Sequence, residues 1–85
     1  MWLRVNDYYY NLAKALGIRT RQATNVNATS TYLLEAWYDH ETNDRVVLKS
    51  FNTEEEANNA LAAITEHLND QRAWLFEKTG LLRPL

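Results

Sequence analysis

Thr53–Leu68 reads TEEEANNALAAITEHL. Thr53 followed three residues later by Glu56 has the form of a capping box, which opens a helix. Glu54, Glu55 and Glu56 place negative charge in the first turn, where the helix dipole favours it. Ala57, Ala60, Leu61, Ile64 and Leu68 recur at spacings of three and four, giving one apolar stripe. The spacing predicts an amphipathic helix with one face to bury. The chain before it supplies the surface to bury it against.

That preceding chain is rich in strand formers. Eight of the ten Trp, Tyr and Phe residues fall in residues 1–51, as expected for a sheet. Trp2–Val5 and Tyr8–Leu12 flank Asn6-Asp7, two residues that tolerate a tight hairpin turn. A two-residue loop pairs Val5 with Tyr8, Arg4 with Tyr9, Leu3 with Tyr10 and Trp2 with Asn11. Leu3, Val5, Tyr8 and Tyr10 then share the better core face. Asn11–Lys14 reads as a short bend. Leu16 to Ala23 reads as a third strand, with Leu16, Ile18 and Thr20 on one face and Arg19 and Arg21 on the other. Residues 24–31, TNVNATST, form a polar loop. Tyr32–Tyr38 and Arg45–Phe51 are strong strands, joined by the polar DHETND of residues 39–44.

Charge assigns the faces. Glu35 and Lys49 do not belong in a small core, so they go with Arg4, Arg19 and Arg21. Leu34, Ala36, Tyr38, Val46 and Leu48 then lie beneath the helix, and Leu33, Trp37 and Val47 lie opposite. Because strand side chains alternate, a one-residue slip inverts this assignment.

After Leu68 the pattern changes. Either the helix runs on to Lys78 with Gly80 as its stop, or it breaks at Asp70, which caps a second helix. The fold class expected is α+β. An antiparallel β-meander of four to five strands (residues 1–51) is covered on one face by a long C-terminal helix, or two helices, over residues 53–79. An apolar helical extension and a tail, residues 80–85, complete one domain.

Eighty-five residues without cysteine make a small core with neither a disulfide nor a thiolate metal site to reinforce it. Met1–Asp7 has no apolar signal core, and no run is long enough to span a membrane. The expectation is a cytoplasmic protein. The net charge of −2 is unevenly spread. Residues 1–50 hold six Lys/Arg against five Asp/Glu, and residues 51–85 hold three against six.

Catalysis finds little material. His40 and His67 are the only histidines, and no glycine-rich loop is available to Gly17 and Gly80, the only glycines. Asp39, Glu41 and Asn43 alternate like the start of a calcium loop. However, the sixth position lacks glycine, and Ser50 stands where the twelfth requires a bidentate glutamate. The chain is therefore expected to be neither an enzyme nor a holder of metal or cofactor.

Two surfaces remain for function. Trp74, Phe76, Leu81 and Leu82 make the C-terminal stretch too apolar for water, and Leu33 and Trp37 add a second patch. These are the expected anchors of a protein interface, with self-association into a homo-oligomer as the expected use. The alternative uses Trp2, Arg4, Tyr9, Arg19, Arg21 and Trp37 as an aromatic and arginine face for single-stranded nucleic acid. The acidic overall balance weighs against that alternative.

Overall fold

The computed structural model describes residues 1–27, 29–39 and 45–85. The strands are β1 (Trp2–Val5), β2 (Tyr8–Asn11), β3 (Gly17–Thr24), β4 (Ser30–Trp37), β5 (Arg45–Phe51), β6 (Ala73–Phe76) and β7 (Leu82–Pro84). A 3-10 turn spans Leu12–Lys14, and the helix α1 spans Glu54–His67. The architecture is α+β, but the strands form two sheets and the helix is internal. One sheet is antiparallel, β3-β4-β5; the other is mixed, in the order β2-β1-β6-β7.

The hairpin of β1 and β2 has the register predicted from its two-residue turn, from Trp2 opposite Asn11 to Val5 opposite Tyr8. Asn6 takes the left-handed φ of 55° that the turn requires and that asparagine tolerates. The hairpin does not continue into a single meander. The 3-10 turn, started by Ala13 N donating to Asn11 Oδ1 at 3.1 Å, separates it from β3. The free edge of β1 is instead filled by β6, in parallel, with Leu3 opposite Trp74.

Here the expected C-terminal helix is corrected. Asp70 does break the helical pattern, but a strand follows it. Its Oδ1 accepts from Arg72 N at 2.8 Å, a side-chain turn that redirects the backbone. Trp74 and Phe76 could not share the helical stripe. Two residues apart on a strand, they share a face without difficulty. Trp74 is buried and Phe76 half-buried. The chain then turns back at Gly80, whose φ of 89° is left-handed, and β7 pairs antiparallel with β6.

α1 begins as the sequence predicts. Glu56 N donates to Thr53 Oγ1 at 3.2 Å, and the Thr53 hydroxyl donates to the Glu56 carboxylate at 3.1 Å. Ala57, Ala60 and Ile64 of its stripe are buried, while Leu61 and Leu68 are half-buried. They meet Leu34, Ala36, Leu48 and Phe51 of the antiparallel sheet, in one cluster with Met1, Leu3, Leu12 and Trp74. The face assignment drawn from charge therefore holds for Leu34, Ala36 and Leu48. Tyr38 joins the sheets by donating its hydroxyl proton to Asn11 O at 3.2 Å.

Three placements differ. Tyr8, expected on the core face of the hairpin, is 68% exposed beside the turn. β3 begins one residue after Leu16, which is 51% exposed rather than on the core face. A register shift between Leu34 and Glu35 leaves Leu48 as an extra residue in β5. Lys49 consequently lies opposite the core-facing Leu34, not with the arginines. Its ammonium sits 5.9 Å from the centre of the Phe51 ring, which a flexible lysine stem can reach while its charge stays in water.

Candidate functional site

The face of the antiparallel sheet turned away from α1 carries an ionic cluster. Alternation along β3 puts Arg19 and Arg21 on that face. The register places Glu35 opposite Arg19, and Arg45 opposite Trp37. Arg19 Nε donates to Glu35 Oε1 at 2.8 Å. Arg21 donates through Nε at 3.2 Å and Nη2 at 3.4 Å, one bond to each carboxylate oxygen. Arg45 Nη1 lies 3.9 Å away. Glu35 is 1% exposed, while the side chains of Arg19, Arg21 and Arg45 are 42%, 42% and 36% exposed. One sunken carboxylate thus anchors three guanidiniums whose outer edges face water. Burial pushes the Glu35 carboxyl up. The hydrogen bonds from Arg19 and Arg21, with both positive charges, outweigh that effect and hold it below its ordinary value.

Trp37 is held beside the cluster. Its indole lies against Gly17, the residue opposite it on β3. A Cβ at Gly17 would fall 2.1 Å from Trp37 Cζ2. The Arg19 guanidinium carbon is 5.6 Å from the ring centre, within cation–π range. Gly17 is therefore a seat for the ring. Gly17→Ala is expected to expel the indole from this seat at a cost of about 1–3 kcal/mol, the range of an overpacked site. A red-shifted tryptophan emission and a lower thermal midpoint would report it. An unchanged emission spectrum would contradict the seat.

Leu33 is half-buried and Val47 46% exposed on the same face. Of the residues predicted for a nucleic-acid face, the fold brings together Arg19, Arg21 and Trp37. Trp2, Arg4 and Tyr9 belong to the other sheet, where Arg4 lies between Tyr9 and Leu75. The anticipated continuous aromatic and arginine surface is therefore divided between two sheets.

The C-terminal residues expected at an interface are largely spent on the fold. Trp74 is buried, and Phe76 and Leu82 are half-buried against the core. Phe76 meets Phe51 edge-on with ring centres 6.2 Å apart. Leu81 is the exception, 62% exposed in the turn between β6 and β7. It lines an open cleft of about 290 Å³ with Phe51, Ala60, Ala63 and Gly80, and with Glu56 on the helix side.

His67, stacked on Trp74 with ring centres 4.4 Å apart, serves packing. The calcium-like pattern with His40 lies almost wholly outside the described residues. Among the described residues no group of three His, Asp or Glu side chains could hold a metal ion. No helix among them is long and apolar enough to cross a membrane.

Sequence reasoning put Arg19, Arg21 and Glu35 on one face but missed Arg45 and the role of Gly17. The signal for Gly17 was available: an isolated glycine inside a strand pattern marks a close approach of something to the backbone. No protein-family model matches the chain, and comparisons with curated proteins and with solved structures give no match.

Proposed function

We propose that this chain is a non-enzymatic protein-binding module and that the outer face of the β3-β4-β5 sheet is its binding surface. The observation that carries this reading is the set of three guanidiniums fixed around Glu35, with Trp37 seated beside them. Arginine and tryptophan are the side chains that most often dominate interface energy. Side chains already fixed in place lose less freedom when a partner arrives. Leu33 and Val47 add apolar contact on the same face.

The charge argues about the partner. Among the described ion pairs, three guanidiniums meet one carboxylate, so two copies meeting through this cluster would set like charges against each other. With Trp74, Phe76 and Leu82 committed to the fold, a chain of different composition suits the face better than a second copy.

A nucleic acid would value the same guanidiniums. Its bases, however, would need free rings, and Trp37 is engaged by Gly17 and Arg19. Isotope-labelled protein titrated with acidic, neutral and basic peptides and with oligothymidylate separates the readings by NMR. A protein-binding module gives shifts confined to outer-face residues of β3, β4 and β5 with at least one peptide. Shifts with oligothymidylate alone, falling steeply with salt, or no response to any peptide, would overturn the proposal.

A further inference from the structure

The geometry points to a specific class of partner: an extended segment with acidic residues at alternate positions, added as a fourth strand to the free edge of β3. This rests on the outer face of the sheet being a protein-binding surface and names what that surface takes.

Among the described residues, β3 and β5 are the two edges of the sheet. They are not equivalent. The β4–β5 pairing carries a register shift that makes Leu48 an extra residue, and a bulge of this kind spoils an edge as a template. β3 is paired with β4 without interruption at all eight of its residues, from Gly17 opposite Trp37 to Thr24 opposite Ser30. A regular edge presents a row of outward N–H and C=O groups that an incoming strand can pair with.

What guards this edge is charge. Arg19 and Arg21 are two residues apart, hence roughly 6.5–7 Å along the strand. Alternate side chains of an added strand repeat at the same interval and on the same face. Carboxylates there would lie directly across from the two arginines, an arrangement that stabilises a strand pair; two cations so placed destabilise it. A second copy of β3 is thereby disfavoured and an acidic strand selected. The arginines have donors to offer. Arg19 bonds to Glu35 through Nε alone, and Arg21 through Nε and Nη2. Each guanidinium has five N–H groups, so terminal nitrogens remain for a second carboxylate.

The other side of the edge sets the alternation. Thr20, Gln22 and Tyr32 line a small hollow there with Glu54 of α1, and Arg21 reaches its lining from the neighbouring position. Thr20 donates to Asn58 Oδ1 at 3.2 Å. Glu54 would repel a carboxylate turned that way, so the inward positions of the partner are uncharged. An uninterrupted acidic run is a poorer fit than glutamate alternating with threonine or valine.

The test is a short fluorescent peptide alternating glutamate with threonine, titrated into the intact chain by anisotropy. It is compared with two versions N-methylated along one edge or the other, a lysine-for-glutamate version, a block-acidic isomer and oligothymidylate. Binding is expected for the alternating peptide. Affinity should drop about tenfold or more in Arg19→Ala and in Arg21→Ala, as for the loss of one close charge pair. It should be lost in the version N-methylated on the edge that faces β3. The N-methylated probe changes no residue of the protein, so instability of an arginine variant cannot mimic the result. Equal binding of both N-methylated edges overturns strand addition. Equal binding of the block-acidic isomer overturns the alternation. Capture of neutral or lysine peptides on the outer face, with none of the acidic one, overturns the acidic partner while the protein-binding reading stands. Response to oligothymidylate alone overturns both.

Discussion

Trp74→Ala is expected to remove about 3–5 kcal/mol of stability, the cost of emptying a large buried aromatic site. For a small domain that is a large part of the whole, since total stabilities start at about 5 kcal/mol. The reason lies in what surrounds the ring. Trp74 is 4% exposed, and its neighbours on adjacent strands are Leu3 and Pro84. The His67 ring is stacked on it, and the Arg72 guanidinium lies 5.1 Å from its centre. Strands on two sides and a helix end hold the cavity walls apart, so the site cannot collapse to recover contacts. Trp74→Phe should cost far less than its loss of volume suggests. Among the described residues the buried indole Nε1 has no hydrogen-bond partner, and phenylalanine removes that donor. Urea titration of the three proteins measures the series. An alanine variant within about 1 kcal/mol of the parent would mean that the site repacks.

Glu35→Ala is expected to cost about 2–3 kcal/mol at neutral pH. Removing one partner of a buried ion pair costs about 3–5 kcal/mol when the other is left stranded. Here the stranded partners are more than a third exposed and can turn to water, which lowers the figure. Glu35→Gln keeps an acceptor for Arg19 and should lose less. The same carboxylate adds a pH signature. Its folded-state pKa lies below the ordinary value of 4.5. A depressed carboxyl binds its proton less readily when folded, so its contribution is fully present above 4.5. It disappears as pH falls through 4.5 and then through the lower folded value. Asp70, drawn down to about 2 by Arg72, acts with the same sign and is retained in the variant. Urea midpoints of parent and Glu35→Ala should therefore converge as the solution is acidified from neutrality. A gap that stayed constant would show that the carboxylate acts through packing and not through charge.

The parts of the fold legible in the sequence are those specified by neighbours in sequence. The cap at Thr53, the stripe from Ala57 to Ile64 and the hairpin register at Asn6 are set within a few residues of one another. The inward set Leu34, Ala36 and Leu48 followed from alternation plus the placement of one glutamate. The partition into two sheets was not legible, because it depends on Leu3 meeting Trp74 from the far end of the chain. Local reading took the run Trp74-Leu75-Phe76 as helix, either continuing the preceding one or forming a second after a break at Asp70. A short apolar run carries no period by which helix and strand can be told apart, and the side-chain turn at Asp70 decided the matter. The candidate surface divides the same way. Arg19, Arg21 and Trp37 were found because alternation within strands is local. Arg45 was missed because its place depends on register across strands; Gly17 marked a close approach, but only that register names Trp37 as the side chain that makes it. Trp2, Arg4 and Tyr9 were grouped with the wrong sheet for the reason that hid β6.

The parallel pairing of β1 with β6 also governs the order in which the molecule can assemble. β3, β4 and β5 form two adjacent antiparallel pairs between consecutive strands, and α1 follows directly, so this half joins near neighbours in sequence. The mixed sheet must bring Trp2 to Ala73, a closure whose entropic cost grows with the chain between. Distant contacts of this kind slow folding. During synthesis the β1–β2 hairpin emerges before the elements that follow it, yet it cannot acquire its neighbours until β6 and β7 have been made. Until then β1 presents an open, aromatic-flanked edge to the crowded cell. β1 is thus made well ahead of the strand that covers it, and the interval before β6 arrives is when the chain is most exposed to pairing with the wrong partner.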